Sequence, residues 1–136
     1  MPPDMDFEVA AAITLTYGTS HHAIVDRGGL QSGETMLVLG AAGGVGLAAI
    51  EIGKAIGARV IATASTAEKL AIAAANGADR TVLLPSPDAL DQLRAAMPNG
   101  ADVVFDPVGG DAFDLSLRCT GNEGRILVIG FAAGRI

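Results

Sequence analysis

Thr35-Met36-Leu37-Val38-Leu39-Gly40-Ala41-Ala42-Gly43-Gly44-Val45-Gly46 carries the strongest structural signal in the chain. Residues 35–39 form a short, largely apolar run, which predicts a buried strand. A glycine cluster follows, and then Val45–Ile56, rich in Ala and Ile and closed by Gly57, predicts a helix. The cluster reads A-x-G-x-x-G, with Ala41 where the strict dinucleotide pattern has its first glycine. At Gly43 a diphosphate can approach a backbone that has no side chain. The N–H groups around Ala42, Gly44 and Val45, with the helix dipole behind them, attract an anion. Gly46 lets the helix pack close to the preceding strand. A plain strand-to-helix turn without a ligand would use the same residues.

Downstream the alternation continues. Arg59–Ala64 predicts a second strand, Thr66–Asn76 a helix closed by Gly77, and Arg80–Leu84 a third strand. Ser86 is expected to cap the next helix with Pro87 at its first position, ending at Pro98 and Gly100. Asp102–Phe105, Asp111–Thr120 and Arg125–Ile129 predict a fourth strand, a helix and a fifth strand. Upstream, Asp6 to about Thr14 and Ser20–Arg27 predict two short helices, the second stopped by Gly28 and Gly29. Such β-α repetition implies parallel strands joined by right-handed crossovers. The expected fold is α/β, a doubly wound parallel sheet of Rossmann type with strand order 3-2-1-4-5. The whole of 1–136 is expected to form one dinucleotide-binding domain, with 1–30 a helical lead-in and 35–136 the βα units. A catalytic domain is expected to be absent from this chain. A full fold of this kind adds a helix and a sixth strand. Their expected loss by truncation would leave the fifth strand as an open edge, where homodimers can pair.

Half of the 136 residues are hydrophobic, and the formal net charge is −6. That balance argues against nucleic acid or an anionic membrane as the main partner. The uncharged stretch Thr35–Ile50 is shorter than the roughly 20 residues of a membrane span and is broken by glycines. Met1–Glu8 is acidic and proline-bearing, unlike a secretory signal. Cys119 is the single cysteine and has no intrachain partner, so a cytoplasmic location is expected.

The nucleotide type turns on the end of the second strand. Forms preferring NAD place an acidic residue there, about 20 residues past the loop, to hold the ribose 2′-hydroxyl. Here the position is Ser65, with Lys69 one helical turn on. Together they form a small anion site suited to the 2′-phosphate of NADP(H). Ser65 and Glu68 also have capping-box spacing, which needs no ligand. The loops after strands four and five, Asp106-Pro107-Val108-Gly109-Gly110 and Gly130-Phe131-Ala132-Ala133-Gly134, should border the nicotinamide half of the cleft. Asp106 is either a cofactor contact or a cap on the turn before Pro107.

GETMLVLGAAGGVGLAAIEIGKAIGARVIATAS, beginning at Gly33, resembles the cofactor domain of zinc-independent NADPH:quinone oxidoreductases of the medium-chain dehydrogenase/reductase superfamily. TYGTSHHAIVDRGGLQSGE, DVVFDPVGGDAFDLSLRC and GRILVIGFAAG extend the resemblance over nearly the whole chain. It implies hydride transfer from NADPH to a small-molecule quinone or activated alkene such as an enone. It also implies diphosphate contacts at Gly43, Gly44 and Val45 and 2′-phosphate contacts at Ser65 and Lys69. Thr19 would lie near the nicotinamide, with Phe131 and Ala132 beside the ribose and nicotinamide. Where members of the family often carry Asn-Tyr against the adenine, this chain has Leu83-Leu84, so that contact would be apolar. Without the other half of such an enzyme, the isolated chain is expected to bind nucleotide weakly and turn over little. Other readings stay open: an enoyl-reductase domain of a fatty-acid or polyketide system, a fragment of a zinc-dependent alcohol dehydrogenase, or a nucleotide-binding module without chemistry.

No catalytic residue stands out. Tyr17 is a candidate proton donor and equally a packing residue. His21 and His22 are adjacent, so they do not share a helix face, and with no third ligand evident no metal site is expected. Cys119 reads as a small buried hydrophobe.

Overall fold

The computed structural model describes residues 4–135. Met1–Pro3 and Ile136, included in the expected domain and in the acidic start, lie outside the described residues. Helix α1 (Phe7–His21) runs into a π-helical turn, His22–Arg27. There follow β1 (Thr35–Val38), α2 (Gly44–Ile56), β2 (Arg59–Ala64), α3 (Ala67–Ala75), β3 (Arg80–Leu83), α4 (Ala89–Ala96), β4 (Ala101–Asp106), α5 (Gly110–Leu117) and β5 (Thr120–Val128). The five strands form one parallel sheet in the order β3-β2-β1-β4-β5. This is the doubly wound arrangement expected from the sequence.

Strand side chains alternate between faces, and the core divides accordingly. Met36, Val38, Val60, Ala62, Val103 and Phe105 pack on the face covered by α2 and α3, together with Ile50 and Ala73. Leu37, Leu39, Ile61, Val82 and Val104 pack on the opposite face against Leu93 and Met97. Both faces are therefore apolar, which is why the central strands read as continuous hydrophobic runs.

Several boundaries differ from the sequence expectation. The two upstream helices are one. Asp6 caps it, accepting from Glu8 N–H at 3.0 Å, and it passes through Gly18 without a break. Ser20 is buried and donates to the Val45 carbonyl at 3.0 Å, so packing of α1 on α2 overrides the local weakness of Tyr17-Gly18-Thr19. Helix α4 begins at Ala89 rather than at Pro87. The Ser86 hydroxyl donates to the Asp88 carboxylate, and Ala89 N–H turns back to the Ser86 carbonyl at 3.1 Å. Helix α5 stops at Leu117, because Cys119 already enters the sheet by accepting from Ala101 N–H at 2.8 Å. Strand β5 therefore starts five residues earlier than expected. Its register slips between the pairs Ala101–Thr120 and Val103–Arg125, so Gly121–Gly124 bulge out. Among the described residues β5 pairs only with β4. No described helix is long and apolar enough to cross a membrane.

Candidate functional site: a dinucleotide cleft

At the C-terminal ends of β1 and β4 the neighbouring strands lead to opposite sides of the sheet, and a crevice opens there. The loop from β1 to α2 forms its floor. Ala41 N–H is tied to the Thr63 carbonyl at 2.9 Å and Gly43 N–H to the Gly40 carbonyl at 3.1 Å. Among the described residues the N–H groups of Ala42, Gly44, Val45 and Gly46 have no intramolecular acceptor. The last three are the unsatisfied donors of a helix's first turn. Gly43 is the N-cap, in an extended conformation. A Cβ there would meet only the Gly40 carbonyl oxygen, at 3.5 Å, so its side-chain direction is open. Gly46 is different: a Cβ would lie 2.8 Å from Ala41 Cα and from the carbonyl oxygens of Gly40 and Ala41. That glycine lets the helix touch the turn. A Cβ on Gly44 would sit 3.0 Å from Thr16 Cγ2, so this position serves the approach of α1, a constraint the sequence alone did not reveal.

A cleft of about 410 Å³ rises from the loop, lined by Gly40, Ala42, Gly43, Ser65, Lys69 and Val108 among others. Thr63, Leu84, Ala112 and Ala132 complete the wall. Lys69 Nζ lies 3.3 Å from Ser65 Oγ. The helix cap, assigned to Ser65 by its spacing from Glu68, belongs instead to Thr66. Its hydroxyl accepts from Lys69 N–H at 3.3 Å, because Thr66 has the extended backbone an N-cap needs. Ser65 is thereby left to the cleft. Glu68 folds back on the helix start. Hydrogen bonds from its own N–H and from the Thr66 hydroxyl hold its carboxyl below the ordinary value. No carboxylate lines the cleft beside Ser65 and Lys69. A second hollow of about 400 Å³ shares Ser65, Leu84, Val108 and Ala112 with the first and continues over Pro85 and Leu115. Its walls are mainly apolar.

The structure thus brings Ala42, Gly43, Ser65, Lys69, Val108 and Ala132 together. Val45 contributes its free N–H while its side chain packs with the core. The other residues singled out in the sequence stand elsewhere. Thr19 lines a separate hollow with His22 and Leu127–Ile129. Asp106 is fully buried and caps its own turn: Oδ1 accepts from Val108 N–H at 2.8 Å and Gly109 N–H at 2.9 Å, while Oδ2 has no partner. Gly130 backs onto Pro107, and Phe131 is half-exposed beside Gly109. Tyr17 donates its hydroxyl to Glu51 on α2. That bond, with burial and the Glu51 charge, raises its pKa, and it holds the phenol away from the cleft. Thr63 and Ala112 were missed. Thr63 was hidden inside an apolar strand, whereas a small residue just after Gly109-Gly110, at the start of a helix, was a usable signal.

The residues fit a dinucleotide on two independent counts. The bare turn offers free amides to a diphosphate, and the C-terminal end of β2 beside it offers a hydroxyl and an ammonium to a further phosphate. Among the described residues no group of three or more His, Cys, Asp or Glu converges in a way that could hold a metal.

This sheet and loop define a nucleotide-binding domain of the medium-chain dehydrogenase/reductase superfamily. A family model described as zinc-binding dehydrogenase matches residues 44–136, and the chain belongs to that family. The chain is 37% identical over its full length to a quinone oxidoreductase-like protein 2 homolog of Nematostella vectensis, spanning 38% of that protein. It is 42% identical, over 96% of its length, to the spectinabilin polyketide synthase system protein NorB of Streptomyces orinoci, of which it spans 6%. A mycobacterial protein solved in complex with NADPH superposes with a TM-score of 0.93 at 34% identity, covering all of this chain and 42% of its own. The chain therefore spans less than half of each relative. The resemblance read from the sequence holds.

Proposed function

We propose that this chain is the NADPH-binding domain of an oxidoreductase that transfers hydride to a quinone or an activated alkene such as an enone. One observation carries the reading: a single cleft is lined both by Ala42 and Gly43, next to the free amides of Gly44–Gly46, and by the Ser65–Lys69 pair, with no carboxylate at the end of β2. The amides of Ala42, Gly44 and Val45 would hold the diphosphate. Ser65 and Lys69 would take the 2′-phosphate, and the wall of Leu84, Val108 and Ala112 would hold the adenine by apolar contact. Thr19, Gly130, Phe131 and Ala132 are assigned to the nicotinamide end. When bound, the cofactor supplies the hydride, and the chain's own residues orient it. Bringing the acceptor close and excluding water are large contributors to such a rate. The relatedness to a polyketide synthase protein also supports an enoyl-reductase reading of the same site.

Calorimetric titration with NADPH and NADH tests the assignment. NADPH is expected to bind more tightly, and Lys69→Ala to cost it about tenfold, the low end for a charge-assisted hydrogen bond at an exposed site. NADH affinity should not change. Equal losses for both nucleotides would remove Lys69 from the 2′-phosphate site, and no binding of either would end the proposal.

A further inference from the structure

We propose a second anion site, for a small phosphate-bearing ligand, at the end of the sheet opposite the dinucleotide cleft. There a hollow of about 370 Å³ lies between the ends of α4 and α5 and the start of β5, lined by Arg94, Arg118, Asn99 and Asn122. No carboxylate belongs to the lining, although the chain carries 15 Asp and Glu against nine Lys and Arg. Among the described residues three of those nine cations, Lys54, Arg125 and Arg135, are engaged in ion pairs, and Arg94 and Arg118 are not. Glu123, the nearest acid along the chain, is exposed and outside the lining.

Both arginines sit at helix C-termini, where partial negative charge already favours a cation. That accounts for only part of their charge, since each helix end supplies roughly half a unit. The single contact between them, Arg94 Nη2 to the Arg118 carbonyl, is long at 3.4 Å. It holds the Arg94 side chain over the hollow and leaves most of its donors unused. Arg118 and the amides of Asn99 and Asn122 have no side-chain hydrogen bond among the described residues. The wall between them is bare backbone: a Cβ on Gly100 would run into Gly121, and one on Gly121 would lie 2.6 Å from the Asn99 carbonyl oxygen. The bulge at Gly121–Gly124 keeps the hollow open where regular pairing would close it. Two planar guanidinium groups and two amide NH2 groups, engaged internally only through the long Arg94–Arg118 carbonyl contact, match the oxygens of a phosphate group.

Inorganic pyrophosphate is the probe, added at constant ionic strength to the chain saturated with NADPH so that the Gly40–Gly46 loop is filled. Amide NMR signals of Gly100, Gly121 and Asn122 are expected to shift along a saturating curve. Arg118→Gln should weaken binding about tenfold and Arg94→Gln/Arg118→Gln abolish it, whereas Arg118→Lys, which keeps the charge but not the planar fork, should weaken it less than Arg118→Gln. Lys69→Ala should leave this titration unchanged, which separates the site from the nucleotide reading. Signals that drift linearly without saturating, or an undiminished titration in the doubly substituted chain, would overturn the proposal.

Discussion

Alanine at Gly43 and alanine at Gly46 should fail in opposite ways, although the two glycines belong to one short turn. At Gly43 the backbone is extended, with φ −77°, and the added methyl meets only one oxygen at an ordinary 3.5 Å. Alanine is a poorer N-cap than glycine by about 0.5 kcal/mol. It also restricts the unfolded chain, which returns roughly 0.4–1 kcal/mol. Stability should therefore stay within about 0.5 kcal/mol of the parent. Gly43 lines the cleft, however, so the methyl would stand where the proposed diphosphate would approach the amides of Gly44 and Val45. Losing two charge-assisted hydrogen bonds, each about 1.5 kcal/mol at the low end, predicts a loss of about 3 kcal/mol, or two orders of magnitude in affinity. At Gly46 the methyl would press on three backbone atoms at 2.8 Å. Those atoms cannot rotate away, so overpacking should cost about 1–3 kcal/mol of stability before any ligand is added. Urea unfolding gives the first quantity and calorimetric titration with NADPH the second. If Gly43→Ala unfolds as easily as Gly46→Ala, or binds NADPH like the parent, the assignment of open and packed faces in this turn is wrong.

Further outcomes follow from contacts outside the loop. Arg125 joins β5 to the segment before β1, donating to the Gly28 carbonyl at 2.8 Å and to both Glu34 oxygens at 3.0 and 2.7 Å. Partial exposure discounts the pair, so Arg125→Ala should cost about 1–2 kcal/mol in urea unfolding. The hydrogen bond from Arg125 lowers the Glu34 pKa below its ordinary 4.5, against burial and with help from Gln31 N–H. This contribution is therefore complete above 4.5 and disappears as pH falls through the lowered folded value. Unfolding measured across that acid range should show a weaker pH slope in Glu34→Gln. Asp106→Ala should cost about 2–3 kcal/mol by freeing two turn amides, whereas Asp106→Asn, which keeps an acceptor, should cost less; thermal unfolding compares them. Thr66→Ala removes the α3 cap and should cost about 1 kcal/mol in the same assay.

The sheet was legible because each central strand is apolar on both faces and the crossover helices α2, α3 and α4 end in recognisable stops at Gly57, Gly77 and Pro98. What failed were boundaries set by distant contacts. Nothing local to Tyr17-Gly18-Thr19 announces that Ser20 will anchor the helix to Val45, and nothing local to Cys119 announces its bond to Ala101. The loop was legible for a related reason. Its chemistry resides in backbone amides, and the pattern of missing side chains shows where those amides are bare. The remaining assignments needed coordinates: Gly44 faces a helix the sequence could not place, and Ser65 and Thr66 differ as caps only through backbone conformation.

A recognition surface made from backbone places few demands on the rest of the chain. In the proposed binding mode the diphosphate would be held by N–H groups that any residue but proline supplies, provided Gly43 stays bare and Gly46 keeps the helix close. Selection among nucleotides would then fall to very few side chains, on this proposal Ser65 and Lys69 at the end of β2, while the adenine wall would use Leu84 in place of a stacked aromatic ring. The acceptor is not read by any of these groups. A domain built in this way can be joined to different catalytic partners without altering its own chemistry. That accounts physically for one sequence resembling both a quinone oxidoreductase-like protein and a polyketide synthase protein at 37% and 42% identity. It follows that nucleotide preference should move with Lys69 and acceptor preference should not. Measured in an enzyme that contains this domain, Lys69→Ala should change KM for NADPH and leave the ranking of quinone and enone acceptors as it was.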